Sequence, residues 1–343
     1  MKILIIGGTG LISTWITRRL LAQGGHELTL YNRGKTEAPL PAQAKTLLGD
    51  RTDYPTFEAQ MAEIGPFDSV IDMVGYAPED AHSVVRAFKG RVGQFIFCST
   101  IDVYSKPAHR LPYLEDEPYG GLNTYSRHKV IMEKTLREAH DSRTFPVTII
   151  RPAYTYGESR GPIHSLGGSL TYLDRVRRGK PIVVHGDGTS LWGACHADDV
   201  AGAFVGAIGN PVTFGKAYHA TGEEWLTWNQ YHQGVAEALN VPTPPFVHIP
   251  SELLAVIAPK RAGICLENFQ FDNIFDNSAA HRDLGFRYTT RWIEGVRRMA
   301  AWLDERHRIP NSDSDPLEDQ IIAAWRSAES AMKQAMPADT ISA

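Results

Sequence analysis

The 343-residue chain is 43% hydrophobic and 22% charged, with a net charge of −4 and three cysteines. That length is ample for one large α/β domain, or for a nucleotide-binding half carrying a smaller lobe. The acidic balance offers no general field for a phosphate backbone, so nucleic acid is an unfavoured partner. Cys98, Cys195 and Cys265 are too widely spaced for a metal or redox pair, so a reducing, cytoplasmic setting is expected and no metal site. No apolar run reaches the roughly 20 residues of a membrane helix. An apolar strand beginning at residue 2 leaves no room for a signal peptide, and no membrane partner is expected.

Lys2-Ile3-Leu4-Ile5-Ile6 is β-branched and lacks polar alternation, as suits a strand buried on both faces of a parallel sheet. The run stops at Gly7-Gly8-Thr9-Gly10 and resumes as Leu11-Ile12-Ser13-Thr14-Trp15-Ile16, which reads as strand, tight turn and helix. Free N–H groups and a partial positive charge at such a helix start suit a dinucleotide pyrophosphate. Gly7, Thr9, Gly10, Leu11 and Ile12 are therefore cofactor-binding candidates, and Ser13 is small enough to keep the helix near the strand. Gly24-Gly25 ends the helix, and Glu27–Tyr31 reads as the second strand, running into Asn32-Arg33-Gly34-Lys35. An acidic residue there would hold the ribose hydroxyls of NAD, whereas Arg33 and Lys35 suit a 2′-phosphate. NADP is favoured. NAD stays open, with Arg33 stacking on adenine and Asn32 or backbone taking the place of the carboxylate.

Leu47–Arg51 reads as the end of the third strand, and Asp50 and Arg51 there are cofactor-binding candidates. Phe67–Gly75 is the fourth strand, and its exit brings Met73 and Val74 toward the cofactor. Gln94–Cys98 is the fifth, followed by Ser99-Thr100-Ile101-Asp102-Val103-Tyr104. Strands alternating with helical segments predict a doubly wound parallel α/β sheet with its ligands at the strands' carboxyl ends. Thr124–His140 has helical apolar spacing and places Tyr125 and Lys129 on one face. A phenol with a pKa near ~10 is a poor base, so the Lys129 ammonium, with an oxidised nicotinamide, would have to lower it.

With these elements in place the chain resembles the extended short-chain dehydrogenases/reductases, the class of NAD(P)-dependent epimerases, dehydratases and reductases on a Rossmann fold. Gly7-x-x-Gly10-x-x-Ser13 is similar to that family's Gly-x-x-Gly-x-x-Gly, and Tyr125-x-x-x-Lys129 to its catalytic pair. Ser99–Tyr104 resembles its Ser-Ser-x-x-Val-Tyr stretch, which puts the catalytic hydroxyl on Thr100. Ile150–Gly157 resembles its Arg-Pro-x-x-x-Tyr-Gly strand end, with Pro152 facing the nicotinamide. His196-Ala197-Asp198-Asp199 resembles its His-Val-Asp-Asp helix start, where the carboxylates are expected as an N-cap rather than as metal ligands. The resemblance implies a catalytic set of Thr100, Tyr125 and Lys129, with Ser99 and Lys129 also at the cofactor. It places Gly75, Asp102, Tyr154 and Trp192 at a sugar-like substrate. Tyr154 and Trp192 stand where relatives acting on nucleotide sugars commonly carry Asn and Arg against the diphosphate. Aromatic rings suit a sugar face or a base but neutralise no charge, and packing at the lobe interface explains them equally well.

The expected organisation is a Rossmann domain over residues 1–157, a smaller α/β substrate lobe over 158–310 from which 198–220 return to the Rossmann side, and a linker with a C-terminal helix over 311–343. Pro-rich Val241–Pro250 reads as a fixed connector. The segment around Arg175, Arg177, Arg178 and Lys180 is similar to the chloroplast stem-loop RNA-binding branch of the same superfamily, although a solvated helix face is the simpler reading. Ile321, Trp325, Ala328 and Met332 make one apolar stripe on the last helix, which would pack on its own subunit or join a homodimer. The expected activity is hydride transfer at a secondary alcohol or ketone carbon of a sugar-like substrate. The alternative is an RNA- or protein-binding module that keeps the fold with vestigial catalysis.

Overall fold

The computed structural model describes residues 1–35 and 43–336. Its nucleotide-binding half runs β1 (Lys2–Ile6), α1 (Leu11–Gln23), β2 (Glu27–Asn32), β3 (Lys45–Leu48), α2 (Tyr54–Ile64), β4 (Ser69–Asp72), α3 (Pro78–Phe88), β5 (Phe95–Cys98), α4 (Thr124–Asp141) and β6 (Val147–Pro152). With the strand Ala217–Ala220 these strands form one seven-stranded sheet, in the order Ala217–Ala220, β6, β5, β4, β1, β2, β3. Every pairing is parallel. The order reverses between β1 and β4, and that reversal opens a crevice at the carboxyl ends.

Strand periodicity explains the layering. In β1, Ile3 and Ile5 face a cluster with Ile16 and Leu20 of α1 and Val200 and Phe204 of the helix Ala197–Ala207. Leu4 and Ile6 face the other way, among Phe57, Val84, Phe88 and Met132 of α2, α3 and α4. Ile3 to Ile6 are fully buried, as a strand covered on both faces requires.

A second core, built on Tyr172, Val183, Trp192, Trp228, Phe269, Trp292 and Leu303, fills the later half of the chain. The helix Ala197–Ala207 and the strand Ala217–Ala220 sit with the large sheet, as anticipated. The helix Ser278–Leu284, inside the range expected for the smaller lobe, joins them. A Cβ on Gly206 would lie 1.9 Å from the Leu284 carbonyl oxygen, so only glycine permits this approach.

Three expectations change. The segment Val241–Pro250 is not merely a connector: Phe246–Ile249 pairs in parallel with Ile182–His185. Asp198 and Asp199 do not cap their helix, because His196 Nδ1 accepts from Asp198 N–H at 3.2 Å. Asp198 instead pairs with Arg19 at 2.6 Å, and Asp199 accepts from Thr289 and Thr290. The last helix, Leu317–Ala335, buries Ile321 and Ile322 and packs Leu317 and Trp325 on its own chain, while Ala328 and Met332 stay exposed. Residues 337–343 of the expected C-terminal segment lie outside the described residues. Among the described residues no helix is long and apolar enough to cross a membrane.

Candidate active site

Gly7, at φ +82°, turns the chain out of β1 where a side chain would be strained, and an added Cβ would stand 2.4 Å from Val74 Cγ1. Ser13 closes the turn: its hydroxyl donates to the Gly7 carbonyl at 2.6 Å and accepts from Gly10 N–H at 2.8 Å. The N-cap of α1, Gly10, brings no capping side-chain oxygen, and the first turn of α1 carries no acid. Its leading N–H groups are thus left facing a cleft.

Two connected hollows meet at Gly7, Gly10, Val74 and Tyr76. The first, of about 390 Å³, is bordered by Thr9, Asn32, Arg33, Lys35, Asp50 and Arg51. Asn32 is buried and its Nδ2 has no partner among the described residues, while Thr9 donates to its Oδ1 at 3.5 Å. Arg33 and Lys35 are exposed, and Asp50, which borders the same hollow, is tied to Thr52 by bonds of 2.9 and 2.7 Å. Arg51 is less available than the sequence suggested. Its buried guanidinium is committed to Asp72 at 2.8 Å and Asp80 at 3.1 Å.

The second hollow, of about 510 Å³, gathers Leu11, Ile12, Met73, Ser99, Thr100, Asp102, Tyr125, Lys129, Pro152, Tyr154 and Trp192. Gly75 does not border it: that glycine packs inward, where a Cβ would meet Met132 at 2.6 Å and Phe97 at 3.0 Å. Tyr76, the next residue, takes its place at the wall shared by both hollows.

Thr100, at the carboxyl end of β5, accepts from Asp102 N–H at 3.2 Å. Tyr125 lies in the first turn of α4, and its ring is 6.4 Å from that of Tyr76. Lys129 is buried one turn further on and donates to the Cys98 carbonyl at 2.6 Å, with its ammonium 5.7 Å from the Tyr125 ring centroid. Burial of the Tyr125 hydroxyl, with Cys98 and Asp102 adding to it, holds that phenol above its ordinary range, while a hydrogen bond with Thr100 works the other way. The Lys129 ammonium is directed at the Cys98 carbonyl. Burial also lowers the Lys129 ammonium and pushes the Cys98 thiol up to about 11. Asp102 is raised by burial, accepts from Asn268 Nδ2 at 2.9 Å, and lies under the charge of Lys106.

Behind the cleft, Glu133 of α4 receives Arg151 of β6 through bonds of 2.9 and 2.6 Å, together with the hydroxyls of Ser99 and Tyr119. Against the cost of burial, these donors hold the carboxyl below its usual range. The network fixes β5, α4 and β6 relative to one another.

Tyr154 and Trp192 are neighbours, with centroids 6.4 Å apart, and Trp192 packs on Trp228 and Phe269 while bordering the cleft. It is thus both packing and wall. Tyr76, Arg160, Asn268 and Phe269 also line the cleft and were missed in the sequence. Tyr76 directly follows a stretch that was recognised, whereas Asn268 and Phe269 arrive from a distant segment with no motif.

The basic cluster is ion-paired, with Arg175 buried and Arg177 and Arg178 exposed on the helix face. Arg175 pairs with Glu318 and Asp319, Arg177 with Asp304, Arg178 with Asp313, and Lys180 with Asp313 and Asp319.

Residues 3–220 match the model of the NAD dependent epimerase/dehydratase family. The chloroplast stem-loop binding protein of 41 kDa b of Arabidopsis thaliana is 30% identical over 260 residues, which span 72% of this chain and 65% of that protein. The UDP-glucose 4-epimerase of Streptococcus mutans is 26% identical over 65% of this chain and 78% of its own length. In fold, the chain is similar to the UDP-glucose 4-epimerase of Thermotoga maritima solved with UDP-glucose, with a TM-score of 0.74 at 18% identity over 90% of this chain and 100% of that one. The UDP-glucuronic acid 4-epimerase of Bacillus cereus in complex with NAD gives 0.70 at 17% identity, again over 90% and 100%. A seven-stranded doubly wound sheet, a glycine turn at its switch point and a match over residues 3–220 together carry the assignment: the chain belongs to the NAD dependent epimerase/dehydratase family.

Proposed function

We propose that this chain moves a hydride at a secondary alcohol or ketone carbon of a sugar-like substrate, using a nicotinamide dinucleotide held across the two hollows. The observation that carries the reading is the convergence of Thr100, Tyr125 and Lys129 on a cleft continuous with the uncapped start of α1.

The residues present fit the cofactor. The glycine turn is a cradle that a Cβ at Gly7 would fill against Val74, and Asn32 Nδ2 is a buried donor without a partner among the described residues. The leading N–H groups of α1 would take the pyrophosphate, Asn32 the adenosine ribose, and Lys129 the nicotinamide ribose. Arg33 and Lys35 border the first hollow beside Asp50, while Arg51 and Asp80 of the same lining pair with each other, and the Arg33 and Lys35 cations favour NADP over NAD. When bound, the cofactor supplies a hydride acceptor and donor.

The chain's own residues handle the proton. The Tyr125 hydroxyl exchanges a proton with the substrate oxygen, and Thr100 donates a hydrogen bond to the same oxygen. A Tyr125 held above its ordinary range suits a resting state that waits for positive charge. Tyr125, beside the nicotinamide that Lys129 would help hold, would have its phenolate favoured by the positive charge of the oxidised ring. Pro152 and Met73 wall the cleft.

Mass spectrometry of small molecules released from the purified protein tests cofactor and substrate together, with a nicotinamide dinucleotide as the expected find. Tyr125→Phe is expected to abolish turnover and leave cofactor affinity nearly unchanged. Unchanged turnover would remove Tyr125 from the chemistry.

A further inference from the structure

The aromatic replacements at Tyr154 and Trp192 left the substrate end of the cleft without an evident cation in the sequence. The structure supplies one from an unanticipated position. Arg160 follows the strand Thr155–Tyr156 in a turn closed by reciprocal Gly157–Arg160 backbone bonds, each of 3.0 Å. Its guanidinium lies over the Tyr154 ring at 5.0 Å and lines the cleft. The Tyr154 hydroxyl donates to the Gly161 carbonyl at 2.6 Å, which pins the ring to the turn that carries the arginine.

No carboxylate among the described residues satisfies this guanidinium. Glu158, two residues earlier, is turned away to Trp15 Nε1 at 3.1 Å and Arg18 at 3.7 Å. Asp102, the one carboxyl lining the cleft among the described residues, is held by Asn268. Lys129, the other cation of the lining, is occupied by the Cys98 carbonyl. Among the described residues the substrate end therefore offers a single free cation, an exposed guanidinium lying over an aromatic face. A guanidinium so held retains its planar fork for a carboxylate or phosphate at reduced entropic cost. Two further groups of the lining lack partners among the described residues: Trp192 Nε1, a donor, and Asn268 Oδ1, an acceptor. They suit hydroxyl groups on the body of the ligand.

We infer that Arg160 is the specificity-determining residue of this cleft, and that its substrate is a polyhydroxylated molecule bearing one acidic group, a carboxylate or a phosphate, received by Arg160 while the body lies against Tyr154 and Trp192. This rests on the cofactor and hydride reading above, but it fails separately from it.

The test is calorimetric titration of the NAD-loaded or NADP-loaded protein with glucuronate, glucose 1-phosphate and glucose, alongside titration of the dinucleotide itself. At least one of the two acidic sugars is expected to bind about tenfold more tightly than glucose, and more weakly as salt rises. Glucuronate and glucose 1-phosphate distinguish carboxylate from phosphate. Arg160→Ala should erase that preference, Arg160→Lys should restore part of it, and neither should alter dinucleotide affinity or thermal midpoint. Acidic sugars bound equally by the protein and by Arg160→Ala would overturn the assignment, as would no preference for either acidic sugar in a protein that binds its dinucleotide. Failure to bind any nicotinamide dinucleotide would instead overturn the underlying reading of the site.

Discussion

Glu318 opens the last helix from a buried position. Its Oε1 accepts from Val183 N–H at 2.8 Å, and its Oε2 lies 3.4 Å from Arg175 Nε. Burial pushes its carboxyl up to about 7, against the pull of Arg175. A carboxyl whose folded pKa exceeds its unfolded value contributes stability that is whole below the unfolded pKa and is lost as pH rises through the folded one. The unfolded reference is 4.5, so the cost of ionising Glu318 grows by about 2–3 kcal/mol between about pH 5 and about pH 8. Glu318→Gln keeps an acceptor for Val183 and removes the charge. The variant should therefore gain on the unmodified protein across that interval, by roughly 5 °C in thermal midpoint, read by scanning fluorimetry at both pH values. A difference that is the same at both would refute the reasoning, showing that Arg175 keeps the carboxylate ionised throughout.

At the other end of the molecule, Arg33→Ala should weaken NADP by about tenfold and spare NAD, since the contact with a 2′-phosphate is charge-assisted but exposed. Equal affinities for the two cofactors in the unmodified protein would reduce Arg33 to stacking on adenine. Glu133→Gln leaves the Arg151 guanidinium buried without its counter-charge and should cost about 3–5 kcal/mol in urea unfolding, with part of the loss recovered in Glu133→Gln/Arg151→Met. A loss under about 1 kcal/mol would show that the hydroxyls of Tyr104 and Tyr119, which accept from Arg151 at 2.6 and 3.0 Å, satisfy the guanidinium alone.

Local chemistry made the first half of the fold legible. β1, its glycine turn and α1 announce themselves because a strand buried on both faces must be continuously apolar and a tight turn must be glycine-rich. The strand ends followed for the same reason, whereas Thr100, Tyr125 and Lys129, which border the cleft, were marked by the resemblance to a family motif. What could not be read was set by distance. Phe246–Ile249 hides in a proline-bounded segment because its partner, Ile182–His185, lies far away in sequence. Asn268 and Phe269 reach the cleft from a helical segment whose spacing says only that it is partly buried. Gly75 failed as a cleft residue because one position along a strand exit reverses the direction of a side chain, and Tyr76 faces the hollow in its stead. The commitment of Arg51 to Asp72 and Asp80, and of Arg175 to Glu318 and Asp319, depends on tertiary neighbours that no local pattern names.

The acids of the short stretch Asp313–Asp319 act as an internal counter-ion for a basic face. Asp313, Asp315, Glu318 and Asp319 answer Arg175, Arg178, Lys180 and Arg261, while Ile321, Ile322 and Trp325 anchor the helix that carries them. The same polypeptide therefore presents two different electrostatic surfaces depending on whether its last segment is in place. A fragment cut near residue 310 would uncover four cations beside a strip of fresh apolar surface, and it would adhere to polyanions through charges that the intact chain keeps for itself. Any affinity for RNA measured on such a fragment would include the charges that the cut uncovers.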